Sequence, residues 1–262
     1  MKIFNFNFPF CPTKKIKIVG TSKGAGMIHP NMATMLGVLC TDASISPDCL
    51  QTALSYAVNR TYNCIDVDGD TSTNDTILSL ANGAASNDTI VDVNSSEFIE
   101  FRNGLTAVAR NLSKQLVRDG EGATKFITIR VYGAPEEANA FRVAQAIARS
   151  SLVKCAMFGK DPNWGRILCA VGNSGVNIDP YRVNLYFSNG DEEAFVQKDR
   201  PTLQIVSNGQ PRSGNVLSEC AKILQEHDII VEVDLGIGSQ EATVWTCDLS
   251  TDYVKINSDY TT

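Results

Sequence analysis

The chain has 262 residues, 43% of them hydrophobic and 20% charged, an ordinary globular composition with material for one large domain or two modest ones. A net charge of -6 and a pI near 5.0 argue against the basic face that a nucleic-acid partner would need. No apolar run approaches the ~18 residues of a membrane span, so a soluble protein is expected.

Residues 1–19 carry four lysines and no acid. Asn5, Asn7 and Pro9 interrupt any signal-like apolar core, and the Arg and Ser of an organellar transit peptide are absent, so residues 1–14 read as an anomalous segment. Alternation predicts strands over 15–20 and 34–40. Ser46, Pro47 and Asp48 mark a helix start, with Leu50, Leu54, Ala57 and Val58 on one face. A short strand suits 64–67. A long helix from near Asn94 places Phe98, Phe101, Leu105, Val108, Leu112 and Leu116 at three- and four-residue steps. A strand over 126–131 and a helix over 135–150 follow. The remainder is β-rich, with strands over 182–187, 203–206, 229–235 and 242–247, a turn at Asn208-Gly209, and one helix near 214–225. Without a strict βαβ rhythm, this order predicts layered α/β rather than a doubly wound parallel sheet.

Eight cysteines at irregular spacing, none in a CxxC pair, indicate free thiols in a reducing compartment, several of them acting as small hydrophobes. Two histidines, His29 and His227, supply neither a histidine-rich zinc site nor a recognisable Ser-His-Asp triad. The glycine-rich run 20–26 fits neither the Walker nor the dinucleotide spacing. It reads as a tight turn, or as a loop that lets Lys23 crowd a small anion. Residues 66–75 look like a calcium loop, but Gly69 precedes the third acid and no bidentate Glu follows. They read as a polar turn that caps a following helix and braces a neighbouring site. Residues 118–125 read as a helix stop with a solvated carboxylate at Glu121.

Thr34 follows the small Ala33 inside the apolar stretch 27–36. Either it is an ordinary β-branched strand residue, or it becomes a chain N-terminus. In the second case its own α-amine, with an unperturbed pKa near ~8, can take the hydroxyl proton and make it a nucleophile.

Seven segments, KGAGMIHPNMATML, DVDGDTSTNDT, DGEGATKF, SSLVK, GKDPNWGRI, CDLSTDYV and INSDYTT, occur in this order between residues 23 and 262. In that order they resemble the ornithine acetyltransferase (glutamate N-acetyltransferase) family. The resemblance implies a layered α/β sandwich with mixed sheets, similar to but distinct from the N-terminal-nucleophile hydrolases. It implies self-cleavage between Ala33 and Thr34, so that 15–33 ends an α chain and 34–262 forms the catalytic β chain. Thr34 would carry acetyl from N-acetylornithine to glutamate in arginine biosynthesis. Lys23, Thr34, Glu121, Asn257 and Thr262 would contact substrate. No cofactor or metal is implied, although some members also accept acetyl-coenzyme A as donor. The expected assembly is a heterotetramer of two α and two β chains, in the mitochondrial matrix, with plastid and cytoplasm as alternatives. Family members also carry an upstream segment with a Thr-Gly pair for the oxyanion and a further substrate-binding threonine. Two other readings remain open at this point: an amidohydrolase or aminopeptidase of the N-terminal-nucleophile type, and an inactive truncated member of the family.

Overall fold

The computed structural model describes residues 4–8, 16–29, 35–190 and 202–259. Ala33, Thr34 and Thr262 lie outside the described residues. The chain forms two compact units, residues 1–65 with 69–116 and residues 66–68 with 117–262. The expected 33/34 junction therefore falls within the sequence span of the first unit.

The first unit holds a four-stranded sheet in the order β1 (Phe4–Phe8), β2 (Ile16–Lys23), β3 (Leu36–Thr41), β5 (Thr76–Ala81). The first three strands are antiparallel, whereas β5 runs parallel to β3. Ile16, Ile18, Leu39 and Thr41 are buried on one face, and Val108 and Leu112 of α2 (Ser96–Arg118) pack on that face at Gly20. A Cβ at Gly20 would lie 2.6 Å from Leu39 and 2.7 Å from Leu112. Gly20 is thus a strand residue that admits a helix, not a turn residue, and β2 continues through Lys23. The polar stretch after Asp66 leads into β5 rather than a helix, correcting the capping expectation. A six-residue run, Thr-Ile-Leu-Ser-Leu-Ala, pairs with β3, and that parallel neighbour is invisible locally. Leu78 and Leu80 are 51% and 57% exposed. Helix α1 (Pro47–Asn59) starts as expected, with the Ser46 side chain accepting from the Cys49 N–H. Ser95, not Asn94, takes that role for α2, accepting from the Phe98 N–H.

The second unit is built on a seven-stranded sheet, order β4 (Ile65–Asp66), β11 (Gln240–Cys247), β6 (Phe126–Ala134), β10 (Asp228–Asp234), β7 (Asn184–Asn189), β8 (Leu203–Ser207), β9 (Gln210–Pro211). β6 and β10 are parallel; β11 joins β6, and β7 joins β10, in antiparallel fashion. Both sheets are therefore mixed, and the mixed α/β class is as expected. Ile127, Ile129, Val131, Val231, Val233 and Val244 form one core with α3 (Glu137–Ala148), α4 (Ser151–Phe158), α5 (Trp164–Gly172) and α6 (Val216–Ile223). The helix expected over 135–150 ends at Ala148, because Ser150 caps a new helix by accepting from the Val153 N–H. A last helix, α7 (Thr251–Ser258), closes the described chain. Among the described residues no helix is long and apolar enough to cross a membrane. All seven described cysteines are free, but Cys155 and Cys169 are exposed, because α4 and α5 turn them away from the core.

Lys154 of α4 is 2% exposed, and its ammonium lies 3.1 Å from the Asp66 carboxylate, itself 1% exposed. It also donates to the Val67 carbonyl at 3.0 Å, the Cys247 carbonyl at 2.9 Å and the Thr246 hydroxyl. Thr246 in turn donates to the Ala148 carbonyl. Removing one partner of a buried pair leaves the other charge without compensation. Lys154→Ala should therefore cost about 3–5 kcal/mol in urea unfolding. A loss below ~1 kcal/mol would show that the knot is dispensable.

Candidate active site

The residues expected to bind substrate divide between the two units. In the second unit, the chain leaving α2 turns at Gly120, whose N–H donates to the Val117 carbonyl. Gly122 has φ +65°, in the left-handed region, and a Cβ there would lie 2.5 Å from the Tyr253 nitrogen and 2.7 Å from the Ser250 hydroxyl. Only glycine lets this loop reach the start of α7.

Two polar grips fix that approach. The buried Asp248 carboxylate accepts from the Thr124 and Lys125 N–H groups, each at 2.8 Å, and from the Thr124 hydroxyl. Ser250 donates to the Gly122 carbonyl at 2.6 Å and caps α7 by accepting from the Tyr253 N–H. The Tyr253 hydroxyl also reaches Asp68 at 3.2 Å.

Held this way, Glu121 and Asn257 meet. The Asn257 side-chain N–H group donates to Glu121 Oε2 at 2.9 Å and to the Tyr253 carbonyl at 3.0 Å. Glu121 is half-buried and Asn257 exposed. A carboxylate beside an amide carbonyl presents acceptors of the kind an amine or ammonium needs. Glu121 is therefore a half-buried carboxylate tied to Asn257 rather than a freely solvated one. Lys125, in the same loop, is unsuited to that role. Its ammonium donates to the Gln225 and Glu226 carbonyls, and its pKa is lowered by burial and by Lys160, against the pull of Asp248 and Glu226.

In the first unit, Lys23 is the last residue of β2, exposed, and paired in register with Leu36. Beneath this end of the sheet the Ser22 and Tyr62 hydroxyls lie 2.6 Å apart. Burial, opposed by the Ser22 contact, pushes the Tyr62 phenol up to about 12. Met35, the first described residue after Thr34, donates its N–H to Asp75 at 2.8 Å, and its carbonyl accepts from the Thr76 N–H at 3.1 Å. Sequence reasoning left Asp75 inside a polar turn; its position directly before an alternating six-residue run was the available signal. His227 pairs with Asp228, which also binds Arg118 in a bidentate manner. Among the described residues no three His, Cys, Asp or Glu side chains gather as a metal centre requires.

A model of the ArgJ family matches residues 1–262. This chain belongs to the ArgJ family. Similar proteins include one from Heterostelium pallidum, named arginine biosynthesis bifunctional protein ArgJ, mitochondrial. It is 47% identical over 252 residues, covering 95% of this chain and 58% of that protein. A protein of the same name from Aspergillus niger is 48% identical over 269 residues, 98% of this chain and 57% of its own length. The chain thus spans little more than half the length of these ArgJ relatives. The crystal structure of the Bacillus halodurans ArgJ protein aligns with a TM-score of 0.76 at 38% identity, over 85% of this chain and 98% of that one. The ArgJ match includes residues 1–14, which the sequence alone set apart.

The Gly122 contact carries a test. Gly122→Ala forces a Cβ into the α7 N-terminus and a left-handed backbone onto alanine, at a cost of roughly 1–3 kcal/mol. Amide hydrogen exchange of residues 251–258 should rise sharply relative to β6. Unchanged protection of α7 would show that the loop does not hold it.

Proposed function

We propose that this chain is the catalytic portion of an ornithine acetyltransferase that cuts itself between Ala33 and Thr34 and uses Thr34 as its nucleophile. The observation that carries the reading is the 2.9 Å contact between Glu121 and Asn257, 136 residues apart, which joins two of the segments that resemble the family. Family membership and relatives named for arginine biosynthesis support it. The likeness to the solved bacterial ArgJ chain, 38% identical with a TM-score of 0.76, supports it as well.

In this mechanism the Thr34 hydroxyl oxygen attacks the acetyl carbon of N-acetylornithine while its proton passes to the Thr34 α-amine. The tetrahedral intermediate collapses, the C–N bond breaks, and the α-ammonium returns the proton to the leaving ornithine nitrogen. Glutamate then enters. Its amine attacks the acetyl ester, the ester C–O bond breaks, and the threonine oxygen is reprotonated. One hydroxyl serves both half-reactions, so the cycle is ping-pong and needs no cofactor. Acetyl-coenzyme A would enter only as an alternative acetyl donor.

Lys23 supplies a cation of the kind a substrate carboxylate needs, and Glu121 with Asn257 supplies acceptors of the kind an amine needs. Thr262 completes the proposed substrate set. The working assembly is two α and two β chains in the mitochondrial matrix, a reading that the relatives' mitochondrial names support.

In the full-length precursor, Thr34→Ala should stay a single uncut chain by intact-mass spectrometry and release no ornithine. Thr34→Ser should cut more slowly and retain transfer. Full turnover by the alanine variant would sink the reading, and acetyl release to water in place of glutamate would identify an amidohydrolase. Separately, alanine at Glu121 or Lys23 should lower kcat/KM by more than ~10-fold with little change in melting temperature. Loss of fold with full activity in the residual folded fraction would make those residues structural.

A further inference from the structure

The acidic stretch 66–75 ends on Asp75, a carboxylate that the function above does not use. Asp75 sits immediately before β5, where the parallel pairing of β5 with β3 begins at Leu36 and Thr76. Its Oδ1 accepts from the Met35 N–H at 2.8 Å, while the next residue, Thr76, donates its own N–H to the Met35 carbonyl at 3.1 Å. The backbone on both sides of Met35 is therefore gripped by two consecutive residues.

The second oxygen is the informative one. Asp75 Oδ2 is buried and has no hydrogen-bond partner. A buried carboxylate oxygen without a donor is costly, and such groups are ordinarily satisfied. Desolvation by burial, only partly offset by the Met35 N–H, holds the Asp75 carboxyl above the usual carboxylate range, as expected of an acid that lacks a cation.

Chain connectivity says which cation can reach it. Thr34 is bonded to Met35, so its nitrogen lies within about 3.7 Å of the Met35 nitrogen whatever the torsion between them. A carboxylate already on the Met35 N–H has its other oxygen within reach of that atom, in the way one anion bridges successive backbone N–H groups. In the uncut chain the Thr34 nitrogen is a neutral amide. Cutting before Thr34 turns it into an amine that can hold three protons and a positive charge.

We propose that Asp75 is a positioning residue that receives the Thr34 α-ammonium formed by cleavage and holds the amine beside its own hydroxyl for acetyl transfer. This rests on the reading of Thr34 as nucleophile. Asp75 makes no contact with substrate and exchanges no proton. It fixes the direction of the amine, and its negative charge favours the ammonium each time the amine takes the hydroxyl proton.

The proposal separates two events that a structural role would affect together. Asp75→Asn keeps an oxygen for the Met35 N–H and removes only the charge. In the full-length precursor it should be cut between Ala33 and Thr34 at a rate near the unsubstituted protein, since no ammonium exists yet. Once cut, its kcat for ornithine release should fall at least ~10-fold while KM and melting temperature change little. Asp75→Ala, which also releases the Met35 N–H, should slow both cleavage and transfer. A cut Asp75→Asn enzyme with full kcat would overturn the proposal, and so would one that folds but is not cut. Should the variant fail to fold, the crystal structure of the cut, unsubstituted protein decides. A Thr34 nitrogen within ~3.2 Å of Asp75 Oδ2 supports the proposal, and a longer separation overturns it. Thr34→Ala is assayed alongside. Turnover by that variant would defeat the nucleophile reading itself, whereas a dead Thr34→Ala beside a fully active Asp75→Asn would defeat only the role of Asp75.

Discussion

The buried ammonium of Lys154 organises the part of the molecule that carries Glu121 and Asn257. It draws together the Asp66 carboxylate, the Val67 and Cys247 carbonyls and the Thr246 hydroxyl, which no short stretch of chain could bring to one point. Residues 66–68 are flanked in sequence by the first unit yet belong to the second, where β4 joins the sheet beside β11 and this contact holds Asp66 and Val67. Once fixed, they act further along: Val67 stands against Gly120, and Asp68 accepts from the Tyr253 hydroxyl on α7. The loop that bears Glu121 and the helix that bears Asn257 are thus both referred back to one lysine. A buried ion pair is weak evidence for added stability but strong evidence for a defined arrangement here, because its carbonyl and hydroxyl partners come from separate segments.

Carboxylates in this acidic chain act repeatedly on the backbone. Asp248 takes two consecutive N–H groups at the end of the Glu121 loop, and Asp75 takes the N–H just after Thr34. Each places a backbone segment to better than side-chain tolerance, because a carboxylate accepts from donors whose spacing the peptide unit already fixes. The difference between the two is instructive. Asp248 has donors on both oxygens, whereas Asp75 has one on Oδ1 alone.

Much of the secondary structure was legible. The start of α1 was written in Ser46, Pro47 and Asp48, and α2 in its run of apolar residues at helical spacing. The apolar strands near residues 126, 184, 203, 228 and 240 fell within a few residues of expectation. Other features misled for specific reasons. Gly20 belongs to a strand beneath Leu112, and a close helix leaves no local mark. Strand β5 is a short run whose partner lies some forty residues upstream. Helices α4 and α5 follow α3 with only a capping serine and a short loop between, so one long apolar region concealed three helices.

By itself the sequence determined the local structure, the absence of a recognisable triad or metal motif, and, through seven ordered segments, membership of the ArgJ family. These depend on neighbouring residues or on motifs that survive as strings. It also supplied Lys23, Glu121 and Asn257 as residue types suited to an amino-acid substrate. Only the tertiary structure decided that Glu121 touches Asn257, that Lys125 is committed to backbone carbonyls, and that Asp75 grips Met35. These contacts span 40 to 136 residues. Each forms because a sheet register, a glycine without a Cβ or a buried carboxylate brings distant backbone together, and none of these leaves a periodicity in the chain.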